Sequence, residues 1–356
     1  MTIPARIPLQ TEYKDQAIIR TQKQWYLFVG FVIFLFALPF FSGGRIIGMM
    51  NIIGITAIAV VGLQINVGYA GQVNLGQSAF VGVGAYTAGA LTLHFNVPIW
   101  ITIPMAGASA AVFGAIFGLA ALRIKGFYLA LSTIAAQFIF WFTMLKLPKS
   151  WFGQHEGLRL EPVSLLGFRF DTDSRVYYLI FITAVLMIYG AFSLARSRTG
   201  RALIAIRDND KVADIIGIDV FYYKSLAFFI GAFYAGIAGA LWGYYIRFVH
   251  ADQFTLWLSV WYLGMLIVGG MGSILGAIIG TVGMRLLQEL MTYLGPRIVE
   301  MQVFSKLGGE IIFASMNMLL GAIIIIFVIF EPRGLVHRLN IIKESYRLWP
   351  FPCERR

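Results

Sequence analysis

The sequence predicts an all-α polytopic membrane protein, a bundle of about 8–10 transmembrane helices with broken or re-entrant segments. Three observations predict it. Apolar residues make up 59% of the 356 and charged residues only 13%, where a soluble globule carries about 25% charge. The mean hydropathy is +0.77. Apolar runs also recur at the length of about 20 residues that a helix needs to cross a hydrocarbon core. Length alone would point to two soluble domains; this composition overrides it.

In chain order the apolar runs are 26–41, 46–66, 74–94, 98–122, 126–145, 176–195, 222–246, 256–270, 274–294 and 310–330. Residues 1–25 form a polar tail ahead of the first run, with Glu12 and Asp15 and no small-residue cleavage site after it, and so read as leading into a signal anchor. Residues 26–331 form one membrane domain, and 332–356 a polar C-terminal tail. Only Gly269-Gly270-Met271-Gly272-Ser273 separates the eighth and ninth runs, so these are either two crossings or two half-helices of a re-entrant hairpin.

Basic residues orient the set. With a cytoplasmic N-terminus, 18 of the 28 Lys and Arg fall on the cytoplasmic side, 9 fall outside, and Arg285 lies within a run. Both termini are therefore expected in the cytoplasm, with a loop at about 196–221 inside and a polar loop at about 146–175 outside. The net charge of +11 reads as topology, not as a nucleic-acid surface.

Several chemistries are excluded. A lone Cys353 forms no intramolecular disulfide and no CxxC site. His94, His155, His250 and His337 lie far apart, with no HxxxH pair. No lysine follows a glycine, so there is no phosphate-binding GxxxxGK[ST] loop, and no cofactor is expected.

Glycines recur at helical spacing. Gly272, Gly276 and Gly280 form one series, Gly114 and Gly118 a pair, and Gly231, Ala235, Gly239 and Gly243 a stripe. Such faces let helices approach closely. They serve packing within the chain, or a sliding interface or a second subunit; spacing does not separate these.

The segment Ser197–Val220 is too polar for lipid and too regular for slack loop. Ala202, Ala205, Ile206, Val212, Ala213 and Ile216 give an amphipathic pattern, and Gly217 a C-terminal stop. One or two short surface helices are expected, with an apolar side available to a partner. The alternative, a helix resting on lipid headgroups, is opposed by Asp208, Asp210, Asp214 and Asp219, which an anionic leaflet would repel.

Gln64, Asn66, Gln72, Asn74, Gln77 and Ser78 lie between the second and third runs, among glycines. Polar side chains on irregular backbone at membrane depth are tolerated when buried in protein or lining a wet cavity. Two readings stand: an ordinary turn with interhelical hydrogen bonds, or a broken helix in a translocation path. Neutral amides offer donors and acceptors without fixed charge, which suits a small polar or zwitterionic solute.

These stretches carry a family resemblance. Gly68, Gly71, Gln72, Leu75, Gly76, Phe80, Gly82, Gly84, Ala85 and Tyr86 match the G-x-x-GQ-x-x-LG-x-x-x-F-x-G-x-GAY pattern of LivM/LivH-type branched-chain amino acid permeases. Gly200, Arg201, Ala202, Leu203, Arg207, Asp208 and Asn209 resemble that family's loop. Ala213 and Gly217 resemble the EAA loop of ATP-binding-cassette (ABC) importer permeases, with Lys211 and Val212 in place of its first Glu and Ala. Arg123–Thr133, Gly269–Ala277 and Glu331–Leu335 extend the likeness, which is closer to the LivM side. The outer loop Phe152–Leu158 departs from the family's Thr-Gly-Gly stretch.

The resemblance implies a non-enzymatic permease subunit in a bacterial inner membrane, forming half of a pathway for branched-chain or other amino acids. Urea, short amides or aromatic acids are the alternative solutes. It implies a second homologous permease, two cytoplasmic ATPases, an external solute-binding protein and surrounding lipid as partners, and no nucleic acid. Gly200, Arg201, Arg207, Asp208, Asp210, Ala213 and Gly217 would then couple to the ATPases. A membrane-embedded enzyme would want an intramembrane His or paired carboxylates, which the sequence lacks. An ion-coupled carrier is the remaining alternative. Its best ionisable groups, Arg285 and Glu289, are expected to form a mutual i,i+4 ion pair.

Overall fold

The computed structural model describes residues 22–122, 127–162, 164–165, 168–169, 171–300, 318, 321–327, 329–331 and 334–348. Most of the N-terminal tail, Arg123–Gly126, most of the tenth apolar run, Pro332, Arg333 and the end of the C-terminal tail therefore lie outside the described residues.

The long helices follow the apolar runs closely. They are α1 (Gln22–Phe41), α2 (Gly44–Leu63), α3 (Gln77–Phe95), α4 (Ile99–Leu122) and α5 (Phe127–Lys146), then α7 (Asp173–Arg196), α10 (Val220–Ile246), α11 (Leu256–Gly269) and α12 (Ile274–Glu300). A one-turn helix α6 (Lys149–Phe152) lies in the loop before α7, and α8 (Arg198–Asp208) and α9 (Asp210–Ile215) join α7 to α10. The last described helix, α13, spans Leu335–Leu348. Among the described residues, seven helical stretches are long and apolar enough to cross a membrane, so the chain is a multi-pass, all-α membrane protein. α3 has the length, at 19 residues, but is richer in glycine and polar groups.

α10 is the central helix, packed on α2, α3 and α4. Its small residues allow this. A Cβ on Gly239 would collide with the Val81 carbonyl of α3, and one on Gly84 of α3 with the Gly236 backbone. Gly114 and Gly118 of α4 close likewise on Ala232 and Phe228. Without side chains between them the backbones reach van der Waals contact, which drives association where lipid makes hydrophobicity ineffective.

α11 and α12 form an unequal pair. At about 1.5 Å per residue, α11 is about 21 Å long and α12 about 40 Å, so they are not two matched half-helices. Gly276 and Gly280 of α12 close on the backbone of α11, against Gly269, Gly270 and Met265. Gly272 instead sits in the turn, at φ +90°. Over the same turn lies Gly334, at φ +76°, packed on Gly270.

α12 runs antiparallel to α2, and here one expectation fails. Arg285 and Glu289 do not pair with each other. Glu289 Oε1 accepts from Arg45 Nε at 2.8 Å, while Arg285 donates to Thr56 Oγ1 at 2.9 Å and to Gln288 Oε1 at 3.0 Å. The physical reason is position. Arg45 stands at the start of α2 within reach of Glu289, and an inter-helix carboxylate–guanidinium bond is worth more than a solvated pair along one helix.

At the far end of the bundle, Leu158–Arg159 pairs antiparallel with Phe248–Val249, tying the 146–175 loop to the end of α10. Leu160 N adds a bond to Arg247 O at 2.9 Å.

The tight α3–α10 contact gives the first prediction. Gly239→Val forces the helices apart at a cost of about 1–3 kcal/mol, so the thermal unfolding midpoint in detergent should fall by several degrees. Gly283→Ala, where no atom lies within 4 Å of a Cβ, should leave it unchanged or slightly raised.

Candidate functional site

The segment between α7 and α10 is shaped by three helix caps. Ser197 Oγ accepts from Gly200 N at 3.3 Å and starts α8. Asn209 Oδ1 accepts from the amides of Lys211 and Val212 and starts α9. Asp219 Oδ1 accepts from Tyr222 N at 2.9 Å and starts α10. Each cap is worth about 1 kcal/mol, so the turns between helices are specified and not slack. Gly200 is required where α7 turns into α8, because a Cβ there would strike the carbonyls of Leu194 and Ala195. Gly217, at φ +87°, closes α9, with Ile218 N bonded to Ala213 O at 3.0 Å.

The apolar residues of this segment do not share one side. Ala202, Leu203, Ile206 and Ala213 are buried against the bundle, whereas Val212, Ile215 and Ile216 are exposed, Ile215 at 83%. The inner set anchors the two helices and the outer set forms an apolar ridge, continued by Phe221 and Tyr222 of α10. Asp210 pairs with Lys224 of α10 at 2.6 Å. Arg201 reaches back to the Arg196 carbonyl at 3.0 Å, and Asp208 is exposed beside Arg207 at 3.3 Å.

Arg207 joins this segment to the bundle. Its Nη1 donates to the Gly68 carbonyl at 2.7 Å. Its aliphatic stem lies on Gly71, where a Cβ would come within 2.9 Å of Cγ, and its head lies on Gly272, where a Cβ would come within 2.8 Å of Nη1. Three segments distant in sequence thus meet at one guanidinium: the end of α2, the loop helix α8 and the α11–α12 turn.

Gly68 belongs to an irregular stretch. α2 widens after Leu63 into a π-helical turn, Gln64–Tyr69, and the chain then turns sharply at Gly71, φ +67°. π-turns interrupt helices frequently at functional sites. Gln72 N bonds to Asn66 O at 3.0 Å, and Leu75 N to Thr133 Oγ1 of α5 at 3.0 Å, before α3 begins.

The six polar residues of this stretch are all buried, and they divide into two groups. Asn74, Gln77 and Ser78 are tied down. Asn74 Nδ2 donates to Gln77 Oε1 at 3.0 Å, Gln77 Nε2 to Ala59 O at 2.9 Å, and Ser78 Oγ to Gln137 Oε1 at 2.8 Å or Thr255 O at 2.7 Å. Ser259 completes this network on Ser78, and Gln137 also donates to the Phe254 carbonyl. In contrast, both amide atoms of Gln64, Asn66 and Gln72 have no hydrogen-bond partner among the described residues. A buried polar group left unpaired costs about 1–3 kcal/mol, so three such amides together make this stretch a concentration of unsatisfied polar groups. Gly68 and Gly231 make room for them: a Cβ on Gly68 would strike the Gln64 amide, and one on Gly231 the Asn66 amide.

The structure therefore brings Gln64, Asn66, Gln72, Gly200, Arg207 and Gly272 to one end of the bundle. Gln77, steadied by Asn74, holds α3 against α2, Ser78 holds it against α5 and α11, and Gly276 and Gly280 serve the α11–α12 contact. Sequence reading missed Gln137 and Ser259, whose signal was a polar residue inside an apolar run. It also missed Thr56 as the partner of Arg285.

The site is thus a structured loop seated on a multi-pass bundle, beside buried neutral amides. The family model for the permease component of the branched-chain amino acid transport system matches residues 45–329, and the chain belongs to that family. It is 27% identical over 339 residues to the high-affinity branched-chain amino acid transport system permease protein LivM of Escherichia coli K12, covering 89% of this chain and 76% of that protein. It is 24% identical over 331 residues to the probable branched-chain amino acid transport permease protein LivM of Methanocaldococcus jannaschii, covering 81% and 92%. No solved structure matches it significantly.

The Arg207 contact gives the second prediction. A hydrogen bond from a charged donor is worth about 1.5–3 kcal/mol, so Arg207→Gln should speed amide hydrogen exchange over residues 64–72 by about tenfold to a hundredfold. Exchange within α10 should stay unchanged in the same experiment.

Proposed function

We propose that this chain forms half of the path by which an ABC importer moves branched-chain amino acids, and that Arg207 carries motion from the loop to the path. The observation that carries this reading is the meeting of Arg207 with Gly68 and Gly272 beside the three unpaired amides. The family supports the transport role, and its branched-chain amino acid permease relatives support the substrate.

In this reading the 196–221 segment faces the cytoplasm, as the 18-to-9 distribution of basic residues supports, and both termini lie on that side. The exposed Val212, Ile215 and Ile216 ridge is the surface that a partner ATPase grips, with Asp208 and Gly217 beside it. ATP-driven closure moves α8 and α9 as a unit, because Asn209 and the Asp210–Lys224 pair hold them to each other and to α10. Arg207 passes the displacement to the π-turn of α2 and to the start of α12. The path formed with a second permease subunit then opens alternately to the two sides, and a soluble binding protein delivers solute to the outer face.

Gln64, Asn66 and Gln72 line the cytoplasmic mouth of that path. Amides offer hydrogen bonds of both senses without charge, so a zwitterion passes without being held. The energy comes from the partner. An ion-coupled carrier fits less well, because Glu289 is engaged by Arg45, and Arg285, one turn earlier in α12, is a cation.

The test replaces the exposed ridge. Ile215→Asp leaves the core untouched but should weaken ATPase binding about 30-fold, as expected for losing an interface anchor of about 2 kcal/mol. ATP-driven leucine uptake by proteoliposomes should fall with it, while the amount of chain in the membrane stays constant. Uptake by a proton gradient without any ATPase would refute the reading.

A further inference from the structure

We infer that Arg285 is a carboxylate-binding station for the solute at the middle of the membrane path, an inference that rests on the amino-acid transport reading above. Arg285 lies eleven residues into α12, and its partner Thr56 twelve residues into α2. At about 1.5 Å per residue these positions are about 17 Å and 18 Å from the helix ends, near mid-depth in a core about 30 Å thick. The antiparallel course of the helices fixes this depth from both sides. Arg45 and Glu289 pair towards one end, and Gly68 and Gly272 meet on Arg207 at the other.

A guanidinium at that depth ordinarily pairs with a carboxylate or faces a wet cavity. Among the described residues Arg285 has neutral hydrogen-bond partners only: Thr56 Oγ1 at 2.9 Å and Gln288 Oε1 at 3.0 Å, with Tyr262 of α11 as its electrostatic neighbour. The Thr56 hydroxyl donates in turn to the Ile52 carbonyl at 2.7 Å, so its orientation is fixed. The Arg285 Nε is buried and has no hydrogen-bond partner among the described residues. The nearest carboxylate along the helix, Glu289, is taken by Arg45.

The chemistry of the ligand follows. Nε–H and the adjacent Nη2–H form a planar fork that matches the two oxygens of a carboxylate, and Nη2 is at present turned to a threonine hydroxyl, a weak acceptor that a carboxylate replaces. Every α-amino acid carries such a carboxylate. A cation that the described residues hold through neutral groups attracts it without the strong grip of a carboxylate-paired, closed site, and release follows as the helices move. The neutral amides at the mouth then serve the later part of the passage.

The experiment uses the complete transporter, this chain with its partner subunits, in proteoliposomes containing ATP and supplied with leucine-loaded binding protein. Arg285→Met and Arg285→Lys are compared with the unaltered chain, with uptake and ATP hydrolysis both expressed per assembled complex. Arg285→Met should lower leucine uptake at least about tenfold while binding-protein-stimulated ATP hydrolysis persists, so that ATP consumed per leucine rises by the same factor. Arg285→Lys, which keeps the charge but loses the planar fork, should restore the uptake only in part. Unchanged uptake and unchanged ATP per leucine in Arg285→Met would overturn the inference. So would fewer assembled complexes with normal uptake in each, which assigns Arg285 a structural role. If the unaltered complex imports no amino acid, the transport reading itself falls and takes this inference with it; if it imports leucine and Arg285→Met does so equally, only the inference falls.

Discussion

A guanidinium bonded to a backbone carbonyl, resting on two glycines, is the contact on which the working parts of this protein depend. Arg207 is donated by the loop helix α8, Gly68 by the widened end of α2, and Gly272 by the turn into α12. A charged donor gives such a bond strength, and the missing Cβ atoms give it room. A larger residue at Gly71 or Gly272 would push the guanidinium off its seat and separate the loop from the bundle.

The surroundings of that contact are stiff on one side and under-satisfied on the other. Three caps and the Asp210–Lys224 pair make the 197–224 region a defined body. The glycine-lined contacts of α10 with α3 and α4 make the bundle core another. Between them the π-turn carries Gln64 and Asn66, and Gln72 follows it, all with amide groups that have no partner among the described residues. Irregular, polar structure placed between two packed bodies is where the proposed gating would absorb a displacement.

Much of this was legible in the sequence, and the limits have physical causes. Helix positions follow from apolar run length, because lipid leaves a spanning backbone little choice. The polar run 64–78 stood out for the same reason. Periodicity could not divide it: Gln77 and Ser78 find partners on α2, α5 and α11 that are remote in sequence, and Asn74 is tied down through Gln77. The amphipathic reading of 202–216 was right about helices but joined two faces, because α8 and α9 are separate helices that meet at Asn209. The Arg285–Glu289 pairing failed on the same ground. A local i,i+4 rule cannot see that Arg45 and Thr56 stand opposite on another helix. The family resemblance, carried by 68–86 and 200–209, identified the permease before any geometry did, whereas Arg207's seat on Gly68 and Gly272 needed the fold.

The most direct measurement of the central claim is the thiol reactivity of a single cysteine at position 72, in a chain with Cys353→Ser, within the assembled transporter. The account predicts slow modification at rest and faster modification when ATP binds to the partner subunits, with the ATP effect lost in Arg207→Gln. Reactivity that ignores ATP in the unaltered chain, or that responds equally well without Arg207, would contradict it.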